Sequence, residues 1–396
     1  MQVFVPPLPA EAPVLTVILD ATSSPDNRDN TVLSRWADLR RTLTPEGVDG
    51  VPQADCDAVT EVFGVPVHVR GPFGRVVVAS GGAVVLDRLL PEPPAADRAV
   101  VSDRPHAFAL ARAADATVRY LLVSVDRAGA DVALYDAPAG LTGELEEVRT
   151  VEGGHDVLSK PNLGPLGHKR IDNRAEDSWE RNAEAVAGEL ERICRERRPE
   201  LVLITGDLRA VHLVQDELTR PVRELVVEIS GGSRADGVNT RALHEQVAGQ
   251  LNELRERRRS TTVDRYRQEA GRDGAAVSGA DAVLEVLRRG QVADLLLAPD
   301  VAGPPSRLAR TTLWIGPGAL EVAASAEELH DLGVSDPCEV RADLAIGRAV
   351  LEQDAGITVA EEMDAVPDGV GALLRWHDPA TPGEHALAGS ADTRRV

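Results

Sequence analysis

The period of apolar and polar positions changes several times along the chain, and each change predicts an element. VLTVILD (14–20) is an apolar run of strand length, followed by the polar turn ATSSPDNRDN and a helix-like WADLRRTL. HVRGPFGRVVVASGGAVVLDRLL holds two short β-rich pieces with glycine turns, and the proline cluster PEPPAADR near 91–98 is placed within or just before a domain boundary. From Ala116 onward VRYLLVSVD, AGADVALYD and GELEEVRTVE read as three successive strands, the first two joined by a tight Arg-Ala-Gly turn. Ala183, Val186, Ala187, Leu190 and Ile193 then recur at helical spacing in a helix starting near Ser178. LVLITGD returns as a strand, DLRAVHLVQDEL as a helix and ELVVEIS as a strand. Strands first, then alternating helices and strands, imply a mixed α/β sheet domain.

Residues 240–271 are long, charged and periodic, and suit a connecting helix. Its RERRR run is interleaved with Glu253, Glu256 and Asp264 and reads as a solvated face. GRDGAAVSGA follows as a hinge. The remaining segment alternates helix and strand in the manner of one compact α/β/α domain, ending in GVGALLRW. The Pro-, Ala- and Gly-rich tail after Trp376 is expected to be disordered.

Composition narrows the function classes. A chain of 396 residues is too long for one core, so two or three domains are expected. Aromatic residues make up only 3% against 43% hydrophobic, so the cores should be built from Val, Leu, Ala and Ile. The net charge of −21 argues for a soluble protein and against broad adhesion to nucleic acid or anionic membrane. Cys56, Cys194 and Cys338 form no ligand spacing and read as reduced thiols. The opening residues lack a secretory pattern and no apolar run reaches bilayer length, so a cytoplasmic protein with no membrane partner is expected.

Few residues carry a signal for chemistry. There is no P-loop, no GxGxxG after a strand, no HExxH and no GxSxG. Asp126 ends a strand without acidic partners at interior positions of the next one, and is read as a turn aspartate rather than a nuclease metal ligand. Asp207, in TGD, is placed to cap the following helix. His155, His168 and His212 lack the spacing of a metal site, and no metal, cofactor or catalytic residue is assigned. The segment 153–177 differs in kind. The only two lysines of the chain, Lys160 and Lys169, fall in it together with Arg170, Arg174, His155 and His168, in a protein that is otherwise acidic. Cationic side chains beside glycines such as Gly164 and Gly167 are what phosphate contacts need.

The order ALYDAP, TVEGGHDV, basic glycine loop, a long helix with AEDSWERNAEAVAGEL, LVLITGD, LVVEISGGSRADGVN, charged helix, DAVLEVLRRGQVADLLLAPD and DGVGALLRW resembles the archaeo-eukaryotic class-one peptide release factor and Pelota superfamily. The likeness spans roughly residues 112–377 and is nearest to the bacterial branch, which includes Balon-like and mycobacterial ribosome hibernation factors. It implies an α/β protein of three domains. These are an N-terminal α+β domain (1–110) facing the decoding region, a ribonuclease-H-like middle domain (111–270) with the basic loop 153–177, and a GTPase-docking C-terminal domain (271–396). The last is an α/β/α fold like that of kink-turn-binding ribosomal proteins.

Release factors of this superfamily carry Gly-Gly-Gln before the long helix. With Asn182 matched to the family's helix asparagine, that position falls near Gly164 to His168, where this chain has GPLGH. No Gly-Gly-Gln occurs anywhere, and residues 1–110 contain no lysine for a stop-codon-reading Asn-Ile-Lys-Ser motif. The resemblance therefore implies a monomeric ribosome-binding factor, occupying the A site as a tRNA mimic without peptide release and acting in ribosome hibernation. Its rRNA-contacting residues would be His155, Lys160, Gly164, Gly167, His168, Lys169, Arg170 and Arg174, facing the A site and peptidyl transferase centre, with an EF-Tu-type translational GTPase as partner. The alternatives are a peptidyl-tRNA hydrolase or rescue factor using His168 at residues 164–168, and a metal-dependent nuclease.

Overall fold

The computed structural model describes residues 12–22, 31–46, 48–67, 72–138, 144–152, 165–232, 240–301, 303 and 306–382. Contacts divide the chain into two compact units, Met1–Ala116 with Glu256–Val396, and Thr117–Arg255. The sequence suggests cuts near 110 and 270; the contact divisions fall at 116/117 and 255/256, with the two flanking segments together.

The first unit opens with β1 (Val14–Asp20), α1 (Thr31–Arg41), α2 (Gln53–Phe63), β2 (Gly74–Ser80), β3 (Ala83–Leu90), β4 (Arg98–Ser102) and α3 (Ala107–Ala116). The strands form an antiparallel sheet in the order β3-β2-β1-β4. Gly81 and Gly82, with φ of 64° and 82°, make the two-residue turn between β2 and β3, a geometry that a β-carbon disfavours at both positions. The proline cluster marks no domain edge: it joins β3 to β4 inside this one sheet. α2 packs Cys56, Val59 and Phe63 inward, and Trp36 of α1 meets Phe63 edge-on while its indole N–H donates to Thr60 Oγ1 at 2.8 Å.

The second unit contains β5 (Thr117–Val125), β6 (Gly129–Pro138), β7 (Glu144–Glu152), α4 (Pro165–Arg197), β8 (Leu201–Gly206), α5 (Leu208–Glu217), α6 (Arg220–Arg223) and β9 (Val226–Glu228). The sheet order is β7-β6-β5-β8-β9, antiparallel on the β7 side and parallel among β5, β8 and β9. This is the mixed sheet that strands followed by alternation predict. The two-residue period sorts side chains to opposite faces. Leu121, Val123, Val125, Val202 and Ile204 join Val186, Leu190, Val211 and Val214 of α4 and α5, while Tyr120, Leu201 and Leu203 meet Val247 and Leu251 of the next helix.

That helix, α7 (Thr240–Ala270), runs through the 255/256 division. Beyond it lie β10 (Ala276–Ser278), α8 (Ala280–Arg288), β11 (Val292–Leu297), α9 (Arg307–Arg310), β12 (Thr312–Ile315), β13 (Val322–Ala323), α10 (Ala326–Asp331), β14 (Cys338–Arg341), α11 (Ala342–Glu352), β15 (Gly356–Val359) and β16 (Val370–Leu374). They form the sheets β10-β16-β11-β15 and β13-β12-β14. One hydrophobic cluster joins Val14, Val78, Phe108 and Leu110 from the beginning of the chain to Val263, Leu295, Ile346 and Val370 from its end.

Three expectations change. GRDGAAVSGA is not simply a hinge, because β10 lies within it and pairs with β16, while Tyr266 Oη and Ser278 Oγ lie 2.7 Å apart. The tail is ordered past Trp376: Gln291 Nε2 donates to the Trp376 carbonyl at 3.4 Å and to Thr381 Oγ1 at 3.2 Å, and residues 383–396 lie outside the described residues. Finally, α4 begins at Pro165 rather than near Ser178, so the second half of the expected basic loop has a helical backbone. Proline suits the first helical position, where its fixed φ fits and its missing N–H has no partner to lose.

Candidate functional site

The site is built around the anchorage of α4. Val186, Leu190 and Ile193 are fully or almost fully buried against β5, β6 and α5, and each burial favours the helix by about 1.5–3 kcal/mol relative to exposure. This stripe fixes the C-terminal half of a 33-residue helix.

The next turn toward the N-terminus is locked by polar and aromatic contacts. β5 ends in the turn 126–129, where Asp126 Oδ1 accepts from the backbone N–H groups of Ala128 at 2.8 Å and Gly129 at 3.0 Å. Asp126 is thus the turn aspartate that the sequence predicts. The same turn presents the Arg127 carbonyl to Asn182, which is 3% exposed and donates through Nδ2 at 2.9 Å. Among the described residues, the buried Asn182 Oδ1 has no hydrogen-bond partner. On the parallel neighbour, β8 ends at Gly206, whose φ of 131° and approach to β5 exclude a side chain: a β-carbon there would stand 1.9 Å from the Val125 carbonyl oxygen. The Asp207 N–H then donates to that oxygen at 3.0 Å.

Asp207 caps α5, as TGD predicts, accepting from the N–H groups of Arg209 at 3.1 Å and Ala210 at 3.3 Å. It also pairs with Arg127 Nε at 3.2 Å. Burial works to raise its pKa, but the donors Ala210, Arg127 and Arg209 outweigh burial and hold the carboxyl below its usual range. The Trp179 ring completes the anchor. The guanidinium of Arg127 lies 4.7 Å from its centroid and that of Arg209 lies 4.9 Å away, so the indole has cation–π contacts with both.

The sequence reading starts the apolar stripe at Ala183 and misses Trp179, Arg127 and Arg209. The available signal is that Trp179, Ala183 and Val186 continue the stripe one turn backward, at spacings of four and three.

Beyond this anchor, α4 continues to Pro165, about 21 Å farther along the axis at about 1.5 Å per residue. Gly167, His168, Lys169, Arg170 and Arg174 belong to this stretch of helical backbone. His155, Lys160 and Gly164 lie outside the described residues. Among the described residues no group of three or more His, Cys, Asp or Glu side chains is arranged to hold a metal ion, and no helix is long and apolar enough to cross a membrane.

Comparison with known proteins bears on the same region. Residues 119–272 match the family described as bacterial archaeo-eukaryotic release factor family 2. Over 377 residues, covering 95% of this chain and 96% of the relative, the sequence is 26% identical to protein Rv2629 of Mycobacterium tuberculosis. Among solved structures, Dom34 of Saccharomyces cerevisiae, a translation termination-like factor interacting with Hbs1, is similar with a TM-score of 0.39 and 12% identity, over 78% of this chain and 82% of that one. Archaeoglobus fulgidus Pelota gives a TM-score of 0.35 and 12% identity, over 96% of this chain and 100% of that one.

Proposed function

We propose, from the premise that residues 119–272 belong to the bacterial branch of the archaeo-eukaryotic release factor superfamily, that this protein is a ribosome-binding translation factor. It occupies the A site as a mimic of tRNA and release factor and protects idle ribosomes during hibernation, working as a cytoplasmic monomer. The observation that carries this reading is the helix α4: an acidic chain has its Lys169, Arg170 and Arg174 in the N-terminal half of a helix whose middle is anchored through Trp179 and Asn182 and whose C-terminal half is buried against the sheet. A pre-positioned arm loses little conformational entropy on binding, and cationic residues on it suit rRNA phosphates. His155, Lys160, Gly164, Gly167 and His168 complete the rRNA-contacting segment at the peptidyl transferase centre.

The factor binds without catalysing peptide release. Residues 164–168 read GPLGH in place of Gly-Gly-Gln, and Pro165 opens a regular helix, which gives Gly167 and His168 helical backbone. The acidic segment 271–396 docks a translational GTPase of the EF-Tu type, a role its lack of lysine and excess of carboxylates suits better than RNA contact.

Ribosome co-sedimentation across a salt series tests the binding segment. Replacing Lys160, Lys169, Arg170 and Arg174 with Ala should weaken binding and flatten the log–log salt dependence by about 3, from roughly 0.7–0.9 per phosphate contact. Unchanged binding and slope would reject the assignment. Release of labelled peptide from ribosome complexes separates the rival: activity lost in His168→Ala would make the protein a hydrolase.

A further inference from the structure

Within the unit formed by Met1–Ala116 and Glu256–Val396 lies a cavity of about 250 Å³. Ile18, Phe108, Leu297, Val301 and Val359 give it largely apolar walls, and exposed Ala95 and Ala96 form part of its rim. Two guanidinium-bearing residues also line it, Arg98 from β4 and Arg112 from α3. Both are half-buried, and among the described residues neither side chain has a hydrogen-bond or ion-pair partner. Comparable arginines of this unit do have one: Arg75 pairs with Asp87 at 2.5 Å, Arg259 with Asp115 at 3.2 Å, and Arg348 with Glu352 at 3.1 Å. Desolvation lowers the pKa of both Arg98 and Arg112; the charges of Asp343 and then Asp300, exposed in the cavity lining, partly offset it at Arg98, and those of Glu92, Asp300 and Asp115 at Arg112, without any of these carboxylates reaching either guanidinium as a direct partner. Long-range attraction from these carboxylates does not satisfy the guanidinium N–H groups, and two partly desolvated cations with no direct partner leave donors that an anion entering the cavity can take up.

The cavity is built for binding rather than acid–base chemistry. His106 lines it, but Nε2 lies 3.1 Å from Asp343 Oδ2 and Nδ1 accepts from the Ala109 N–H at 3.2 Å, so both ring nitrogens are engaged. We propose that this cavity binds a small organic anion, a carboxylate or monophosphate on a compact apolar body, with Arg98 and Arg112 on the anionic head. Asp300 orients the ligand by repelling that head from its own side of the lining. The volume falls below the roughly 300–1,000 Å³ of drug-sized sites, so the apolar body is on the scale of a single ring.

Isothermal titration of the full chain with benzoate, phenyl phosphate, inorganic phosphate and benzyl alcohol tests the proposal. One of the two aromatic anions should bind at a single site, at least about tenfold tighter than phosphate or benzyl alcohol, and which one binds identifies the head group. Arg98→Gln and Arg112→Gln should each weaken it about tenfold or more. Ala96→Trp, on the exposed rim, should block the cavity with both arginines intact, and decides the matter if either glutamine variant loses its circular dichroism spectrum. Absence of binding by both aromatic anions at millimolar concentration overturns the proposal. So does affinity unchanged in the variants that fold, or equal binding of benzyl alcohol.

Discussion

Truncating Trp179 should loosen the anchor of α4 without touching its buried stripe. The ring has guanidiniums at 4.7 Å and 4.9 Å from its centroid. Each such contact contributes about 0.5–1 kcal/mol when partly solvated. Losing both, together with part of the burial of a half-exposed ring, costs about 2–3 kcal/mol in Trp179→Ala, below the ~3–5 kcal/mol of a fully buried aromatic. A loss of 2 kcal/mol corresponds to about a 30-fold fall in the equilibrium constant for local closure. Amide hydrogen exchange of peptides from the start of α5 and from residues 179–186 should therefore accelerate by about that factor, with the β2 and β11 amides of the other unit unchanged. A double-mutant cycle of Trp179→Ala with Arg209→Ala should return a coupling of about 0.5–1 kcal/mol. A coupling of zero with Arg209, and again with Arg127, would refute the stacked anchor. Acceleration spread evenly over both units would refute its locality.

Two further outcomes follow from named contacts. Asp343, 1% exposed, pairs with Arg341 at 2.6 Å and with His106 at 3.1 Å, so Asp343→Asn should cost about 3–5 kcal/mol in urea denaturation. Burial raises the Asp343 pKa, but His106 and Arg341 outweigh it and the net direction is down; its stabilisation is thus present above the ordinary carboxylate range and lost as pH falls through the lower folded value, and the gap between wild type and variant should narrow only in acid. Gly206→Ala should destabilise the second unit well beyond the ~1 kcal/mol typical of a substitution, because its β-carbon would collide with the Val125 carbonyl, and a thermal midpoint unchanged in the variant would contradict the close approach of β8 to β5.

The parts of this fold that were legible are those with a clean period. β5, β6 and β8 alternate between two apolar faces or run apolar throughout, and the cap at Asp207 and the turn at Asp126 are local motifs whose donors lie within three residues. α3 gives no such signal, because its alanines bury almost every side of the helix and leave no polar stripe. The start of α4 is hidden for the opposite reason: between His168 and Asp177 only Ile171 and Ala175 are apolar, so there is no period to detect, and Pro165 reads as a loop residue although it opens the helix. The Arg127–Trp179–Arg209 stack joins three separate elements and depends on how β5, α4 and α5 pack. The cavity arginines are equally silent in sequence, since being unpaired is a property of the folded surroundings.

In the proposed function, α4 carries a basic segment to the catalytic centre of the ribosome without performing its reaction. A density map of ribosomes incubated with the full chain tests this most directly. The expected map shows α4 in the A site, with the Gly164–Arg174 end against the rRNA of the peptidyl transferase centre. Density for the protein at another site, or in the A site with that end turned away from the rRNA, would contradict it.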